Sequence, residues 1–288
     1  MRMHVDCLPC YFRQAYQAAL FSGGDEARHW DAVRAVASYI MDINPGDDSI
    51  DFAERMHNRI KEALGSDDPY RKVKEEYTEM AEGIEGLIES VAAAGGDSLL
   101  SAVKVAIAGN VIDFGAGGSF DVESAISGAL EYEFAIDHYD AFKAAFARAE
   151  SVLYIGDNTG EIYFDKPLLR LLKGKEVTFV ARGGPVLNDA TIEYAERAGL
   201  SEFARLTDTG VSAPGFPPKR VRPEVRAKFE SVDMVISKGQ GNFESLCDHV
   251  RPDMFFLMKT KCELVSRLLG TNLGDIVLME SGRVNLNE

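Results

Sequence analysis

The second half of the chain alternates short apolar runs with segments of helical composition, and this alternation limits the possible folds more than any other feature. Helical patterns lie near 162–173, 189–199, 218–230, 243–248 and 261–269. Strands that are apolar on both faces are typical of a parallel sheet covered by helices on both sides. The sequence therefore predicts an α/β fold with a three-layer, Rossmann-like, mostly parallel sheet. Its predicted strands are Ser151–Ile155, Glu176–Ala181, Phe203–Leu206, Asp233–Ser237, Met254–Met258 and Ile276–Glu280.

The first half has a different pattern, in which apolar residues recur at helical spacing between Gly- and Pro-containing breaks. We predict helices over about 8–22, 26–42, 49–64, 70–94, 97–109, 121–130 and 137–149. The chain should therefore consist of an α-helical N-terminal part, residues 1–149, followed by an α/β part, residues 150–288, that binds metal and phosphate.

The charge is unevenly distributed and excludes several classes of partner. The formal net charge is −15; residues 1–150 contain 27 acidic and 13 basic side chains, whereas residues 151–288 contain 19 and 18. Nucleic acids and anionic membranes require a positive surface, so we expect neither as a partner. The sequence has no apolar run long enough to span a membrane and no signal-peptide pattern, which predicts a cytoplasmic location. Its four cysteines are too few for a disulfide framework.

Three polar, glycine-rich segments follow predicted strands and precede predicted helices, at 154–161, 182–191 and 237–244. The carboxyl ends of parallel strands meet at one edge of a sheet, where ligands bind. Asp157, Asn158 and Asp189 in these loops offer hard oxygen ligands suited to Mg²⁺ or Mn²⁺. The sequence therefore predicts a metal site at this edge.

The same loops also supply groups that bind phosphate. Backbone N–H groups at helix N-termini attract anions, and Arg182, Lys238 and Lys259 can neutralise phosphate oxygens. A metal, an amide cradle and cations together indicate phosphoryl transfer. Each loop taken alone, however, also fits an ordinary turn with a helix N-cap.

Cys7 and Cys10 form a Cys-x-x-Cys pair near the N-terminus, and three interpretations of it stay open. It could be a buried structural pair, a redox pair, or half of a metal site. A zinc site would need two further ligands, for example Cys262 or Cys247.

Six motifs in this order resemble one known family. They are Asp-Cys-x-x-Cys at 6–10, Gly-Asn-x-x-Asp-Phe-Gly at 109–115, Gly-Asp-Asn-x-Gly-Glu at 156–161, Pro-x-Leu-Asn-Asp-Ala-Thr at 185–191, Lys-Gly-x-Gly-Asn at 238–242 and Lys-x-Lys-Cys at 259–262. The series is similar to the damage-control phosphatases, long called domain of unknown function 89 and also catalogued as the acidic residue methyltransferase-like metal-binding domain. The N-terminal cysteine pair looks like the prokaryotic and archaeal branch.

The resemblance implies a fold and a set of site residues. It implies helices packed against a three-layer α/β domain, and a divalent metal (Mn²⁺, Co²⁺, Ni²⁺ or Mg²⁺) as cofactor. The substrates of the family are sugar phosphates, phosphopantetheine-type compounds and other phosphometabolites. This chain lacks the Arg-Thr-x-Lys motif of the sugar-phosphate branch, so fructose phosphate is not the expected substrate. The resemblance assigns metal binding and catalysis to Asp157, Asn158 and Asp189, and the expected substrate-binding set is Asn110, Asp113, Glu161, Arg182, Lys238, Asn242 and Lys259.

We therefore predict a divalent-metal-dependent phosphatase that hydrolyses small phosphorylated metabolites. The reaction could proceed by direct attack of water or through an aspartyl-phosphate on Asp157. One alternative is a carboxyl methyltransferase using S-adenosylmethionine; Gly156 and Gly160 fit it in part, but the second strand ends in Arg182 where an acid is needed. The other alternative is a non-enzymatic metal-binding module built on the cysteine pair. The sequence does not indicate an oligomeric state.

Overall fold

The computed structural model describes residues 1–44, 46–111, 126 and 128–283. In its first part, six helices follow one another: α1 (Cys7–Ser22), α2 (Glu26–Ile40), α3 (Ser49–Leu64), α4 (Arg71–Gly83), α5 (Glu85–Ala94) and α6 (Ser98–Val111). Side-chain caps begin three of them. Asp25 accepts a hydrogen bond from the N–H of Arg28, and Asp48 accepts from those of Ile50 and Asp51. Asp97 accepts from the N–H groups of Leu99 and Leu100 at the start of α6.

The rest of the described chain alternates strands and helices around one seven-stranded sheet. The strands are β1 (Phe134–Asp137), β2 (Ser151–Ile155), β3 (Glu176–Ala181), β4 (Arg205–Asp208), β5 (Met234–Lys238), β6 (Met254–Lys259) and β7 (Ile276–Glu280). The helices are α7 (Tyr139–Arg148), α8 (Glu161–Leu171), α9 (Ile192–Arg197), α10 (Pro223–Ser231), α11 (Gln240–Leu246) and α12 (Glu263–Leu269).

The strand order is β1-β7-β6-β5-β2-β3-β4. All neighbouring pairs are parallel except β6 and β7, which are antiparallel. The chain runs outward from β2 through β3 to β4 on one side, and from β5 through β6 to β7 on the other. The order in which the chain adds strands therefore reverses between β2 and β5, although these two strands are parallel. This junction is the topological switch point of the sheet.

Alternate residues of the central strands enter two different cores. Val152 and Tyr154 of β2 pack with α4–α9 on one face, whereas Leu153 and Ile155 pack with α10–α12 on the other. This confirms the predicted three-layer α/β architecture with a mostly parallel sheet. A third, smaller core lies within α1–α3 and includes Tyr11, Phe52 and other side chains of those helices. Side chains of α4–α6 share a core with the sheet. The boundary between residues 149 and 150 stays a prediction.

Several element predictions differ from the structure in detail. The predicted helix 70–94 is two helices, α4 and α5, which divide at Ile84. The sequence analysis missed β1, a four-residue edge strand in which half-buried and exposed residues alternate. The strand predicted at 203–206 begins two residues later. Most of the predicted helix 121–130 lies outside the described residues. No helix among the described residues is long and apolar enough to span a membrane.

Candidate active site

The predicted site residues meet at the switch point of the sheet. The loop after β2 carries Asp157 and Asn158, the loop after β3 carries Arg182 and Asp189, and Gly239 follows β5. A side chain at Gly239, whose φ is +77°, would place its Cβ 1.9 Å from Oδ2 of Asp157. Only glycine therefore lets the β5 loop approach the Asp157 carboxylate this closely.

Backbone hydrogen bonds join the β2 and β3 loops directly. The N–H of Ala190 donates to the carbonyl of Asp157 at 2.7 Å, and the N–H of Thr159 donates to the carbonyl of Asn188 at 3.0 Å. Asn158 and Asp189 also form an isolated antiparallel bridge. The main chain thus holds Asn158 and Asp189 side by side, although they are 31 positions apart in the sequence.

The Arg182 guanidinium connects the two aspartates. Its Nε donates to Oδ2 of Asp189 at 2.5 Å and its Nη2 lies 3.3 Å from Oδ1 of Asp157, while Nη1 donates to the carbonyl of Gly156 at 3.2 Å. Arg182 is only 1% exposed. The predicted role of Arg182 in phosphate binding is therefore not supported; the side chain instead orients Asp157 and Asp189 from within the protein.

Two amides bridge Asp157 to Glu161, the first residue of α8. Nδ2 of Asn110 donates to Oδ2 of Asp157 at 3.1 Å and to Oε2 of Glu161 at 2.8 Å. Nδ2 of Asn158 donates to the same two oxygens, each at 3.0 Å. Asn110 lies on α6, so the helical first half of the chain contributes directly to the site.

Lys238 lies beneath this cluster and is fully buried. Its ammonium donates to Oε1 of Glu161 at 2.7 Å, to Oδ1 of Asp165 at 2.6 Å and to the carbonyl of Ala106 at 2.9 Å. An ammonium has three donors, and all three are used. The prediction that Lys238 contacts phosphate does not fit this geometry.

The remaining predicted substrate residues have other positions. Asn242 is buried, and its Nδ2 donates to the carbonyls of Gly156 and Lys238, so it ties the β2 and β5 loops together. Lys259 is half-buried at the end of β6 and is not among the residues that line the cavity described below. Asp113 lies outside the described residues.

Burial and mutual repulsion shift the pKa values of the carboxyl groups. Burial and the charges of Glu161 and Asp189 raise the pKa of Asp157 to about 7. Burial also raises the pKa of Asp165, to about 6, although Lys238 opposes this shift. Burial acts to raise the pKa of Glu161 too, but the Lys238 ammonium outweighs it and lowers that pKa. Burial raises the pKa of Asp189 against the opposing charge of Arg182.

A cavity of about 680 Å³ opens beside this cluster, and Asp157, Asn158 and Asp189 line it. Cys7 and Cys10 of α1 line it as well, together with Cys262. The sequence analysis placed the cysteine pair near the N-terminus and named Cys262 as a possible further zinc ligand, but it did not connect the pair with the three polar loops. Packing between distant parts of the chain, which leaves no local signal in the sequence, brings them to one cavity.

The thiols in this cavity are free and protonated at neutral pH. Burial raises the pKa of Cys7 to about 11 and also raises the pKa values of Cys10 and Cys262. Side-chain amides contact two of the sulfurs, Gln14 donating to Cys10 at 3.3 Å and Gln240 to Cys262 at 3.4 Å. Such thiols are poor nucleophiles and behave here as part of the cavity wall.

Lys261 is a cavity residue that the sequence analysis did not select, although it lies within the quoted Lys-x-Lys-Cys motif. It is exposed, and in the described part of the chain its ammonium forms no ion pair. Its charge acts to lower the pKa values of Asp157, Glu161 and Asp189, which indicates that it faces the carboxylate cluster. Lys261 is thus a cation that remains available to a ligand.

Comparison with known proteins shows the family of this chain. A family model described as the damage-control phosphatase ARMT1-like domain matches residues 3–277. The chain belongs to this family. A damage-control phosphatase of Pyrococcus horikoshii is 33% identical over 286 residues, covering 98% of this chain and 99% of that protein. A damage-control phosphatase of Archaeoglobus fulgidus is 34% identical over 230 residues, covering 78% and 80%.

A solved structure extends the similarity to the whole fold. A crystal structure of a domain of unknown function 89 protein from Pyrococcus horikoshii has a TM-score of 0.89 and 32% identity, covering 98% of this chain and 99% of that one. The resemblance to the damage-control phosphatases is thereby confirmed across nearly the full length.

A divalent metal, which the damage-control phosphatase family suggests as cofactor, fits the donors in this cavity. Oδ1 of Asp189 and Oδ1 of Asn158 accept no hydrogen bond from any described residue. No three His, Cys, Asp or Glu side chains in the described ranges are arranged to hold an ion by themselves. The asparagine oxygen is therefore needed beside the two aspartates, and a dication would relieve the repulsion that raises the pKa of Asp157.

Proposed function

We propose that the protein is a divalent-metal-dependent phosphatase that hydrolyses small phosphorylated metabolites. The observation that carries this proposal is the meeting of Asp157, Asn158 and Asp189 at a cavity with room for a metabolite. The Pyrococcus and Archaeoglobus relatives, both named damage-control phosphatases, support this activity. Hard oxygen donors among buried carboxylates support Mn²⁺, Co²⁺, Ni²⁺ or Mg²⁺ as the cofactor.

Each residue of the site has a separate task in this proposal. Asp157, Asn158 and Asp189 would hold the metal, which when bound polarises a phosphate oxygen and balances its charge. Arg182 fixes the orientation of the two aspartates, and Asn110 fixes that of Asp157 relative to Glu161.

Lys261, rather than Lys238, is the cation that we assign to the phosphate. It lines the cavity and has no ion-pair partner among the described residues, whereas all three donors of Lys238 are used. A flexible ammonium at the cavity can follow the phosphate as charge develops on its oxygens.

Direct attack by water fits the contacts of Asp157 better than an aspartyl-phosphate. Oδ2 of Asp157 accepts from Asn110 and Asn158, and Oδ1 faces the Arg182 guanidinium. With both oxygens engaged, this carboxylate is a poor nucleophile and a well-oriented ligand. In this proposal Asp157 therefore serves as a ligand of the metal and not as the nucleophile.

The first alternative function, an S-adenosylmethionine-dependent carboxyl methyltransferase, has less support. That cofactor requires an acid at the end of the second strand to bind its ribose. Here β3 leads into Arg182, which is turned toward Asp157 and Asp189. The second alternative, a metal-binding module built on the cysteine pair, has less support because no third His, Cys, Asp or Glu side chain among the described residues is placed to complete a site with Cys7 and Cys10.

The test is metal removal combined with matched substitutions. Protein treated with a chelator should lose hydrolysis of p-nitrophenyl phosphate and regain it with Mn²⁺, Co²⁺, Ni²⁺ or Mg²⁺. Asp157→Asn and Asp189→Asn should each lower kcat by about a hundredfold or more, since they remove ligand charge. Asp208→Asn is the control, because Asp208 ends β4 at the same sheet edge but does not line the cavity. Full activity in excess chelator, or near-normal turnover of Asp189→Asn, would overturn the proposal.

A further inference from the structure

The turn that carries Asp189 contains a residue in an unfavourable backbone conformation. Residues 186–189 form a tight turn in which the N–H of Asp189 donates to the carbonyl of Val186 at 3.1 Å. Leu187, its first central residue, has φ +45°. Positive φ at this position is a feature of type II′ turns, where glycine is the usual residue. A leucine persists in such a conformation only where its surroundings impose it.

The surroundings that impose it are the helices of the first half. The Leu187 side chain packs against the core formed by α1–α3 rather than against either core of the sheet. Lys61 of α3 also donates a hydrogen bond to the carbonyl of Pro185, two residues earlier. The α1–α3 helices thus hold the loop before Asp189 by two contacts, the packing of Leu187 and the hydrogen bond of Lys61.

On its other side the same turn is connected to the proposed metal ligands. The carbonyl of Asn188 accepts from the N–H of Thr159, and the N–H of Ala190 donates to the carbonyl of Asp157. Asp189 itself forms the bridge with Asn158. Movement of Leu187 would therefore shift Asp189 relative to Asp157 and Asn158.

We propose that Leu187 is a positioning residue, through which the α1–α3 core fixes the turn that presents Asp189 to the cavity. In this proposal the contact with the helices is what holds the Leu187 backbone in its strained conformation. The inference rests on the proposed function where it names a metal. The effect on the loop itself does not depend on metal binding.

Two substitutions separate the packing contact from the backbone strain. Leu187→Ala removes the side chain and keeps the disfavoured φ, whereas Leu187→Gly removes the side chain and relieves the strain. If strain alone mattered, the glycine variant would resemble or surpass the wild type. Under our proposal both variants loosen the turn, and Leu187→Met, which refills the space between the helices, restores it.

The control for general loss of stability is Ile40→Ala. Ile40 lies on α2, packs half-buried against the same core, and does not line the cavity. Its truncation should weaken the α1–α3 core without removing the contact to the Asp189 loop.

Hydrogen exchange read by mass spectrometry tests the inference in the metal-free protein. Peptides that cover residues 186–190 should exchange about tenfold faster in Leu187→Ala and Leu187→Gly than in the wild type, because the amides of Asp189 and Ala190 lose protection. The same peptides in Ile40→Ala and Leu187→Met should stay within about twofold of the wild type. Unchanged exchange in Leu187→Ala, or equal acceleration in Ile40→Ala, would overturn the proposal.

Mn²⁺ titration followed by the electron paramagnetic resonance signal of the free ion provides the second measurement. The dissociation constant should rise about tenfold in Leu187→Ala and Leu187→Gly, as for other residues that orient metal ligands, and less than about twofold in the two controls. A wild type that does not bind Mn²⁺ would count against the proposed function alone, since the exchange result stands without metal. A wild type that binds Mn²⁺ while Leu187→Ala binds it equally well would refute the inference alone.

Discussion

Substitution of Lys238 by methionine should affect folding much more than phosphate binding. The ammonium is fully buried between Glu161 and Asp165, and Tyr154 donates a further hydrogen bond to Asp165. Lys238→Met would leave two buried carboxyl groups without their cation. Breaking a buried pair by removing one partner costs about 3–5 kcal/mol, several-fold more than an exposed ion pair contributes.

The pH dependence of this loss has a definite sign. The pKa of Asp165 is already raised to about 6 with Lys238 present, and loss of the ammonium raises it further. A carboxyl group whose folded-state pKa exceeds its unfolded value favours the folded state at low pH and loses this contribution as pH rises. The gap in unfolding free energy between wild type and Lys238→Met should therefore narrow as pH falls from 7 to 5.

Urea unfolding of both proteins at pH 5, 6 and 7 is the assay, and Asp165→Asn in the Lys238→Met background is the matched rescue. Removing one of the two unpaired charges should recover part of the lost stability. The reasoning is refuted if Lys238→Met stays within about 1 kcal/mol of the wild type while kcat/KM falls through a raised KM. Lys238 would then be a phosphate ligand.

Three further predictions concern other residues. Lys261→Gln should lower kcat/KM about ten- to a hundredfold through loss of a charged hydrogen bond, with Mn²⁺ binding unchanged; an effect below about twofold would place Lys261 on the surface. Burial, aided by the charge of Lys61, lowers the pKa of His57 to about 3. Because the unfolded histidine binds a proton more readily, wild type should lose about 1.4 kcal/mol relative to His57→Gln per pH unit below 6.5; parallel urea stability curves would contradict this. Cys7→Ser with Cys10→Ser should keep Mn²⁺ content and kcat, as the thiols are protonated wall residues; loss of both in a folded variant would make the pair part of the metal site.

The sequence predicted those features that depend on neighbouring residues, namely the strands and the loops that follow them. Continuous apolar runs identified all strands of the sheet except β1, whose alternating edge pattern is short and weak. The meeting of Asp157, Asn158 and Asp189 followed from one rule, that parallel strands end at one edge. The family resemblance added Asn110, which no local pattern marked as a site residue.

The errors came from side chains whose environment depends on distant segments. Lys238 was expected at the ligand because it follows a strand, but its partners lie on α8 and α6. One signal was present, since Glu161 and Asp165 are four residues apart on a helix that also carries Ile162, Phe164, Leu168 and Leu169, and so lie on one face of it. Two acids on such a face require a buried cation. The position of Cys7 and Cys10 at the cavity and the contact of Leu187 with the α1–α3 core have no comparable signal in the sequence.

The division of the helical half into two cores has a consequence for how substrate preference can diverge in this family. α6 supplies Asn110 and shares its core with the sheet, so its exchange would alter the contacts of the proposed metal ligand Asp157. α1–α3 have a core of their own, and residues of α1 and α3 form part of the cavity wall. A relative can therefore replace that wall as a unit, provided that its helices keep a space for Leu187. Chimaeras exchanging residues 7–64 should alter the range of compounds accepted while the chemistry is retained, whereas exchanges that extend through α6 should inactivate the protein.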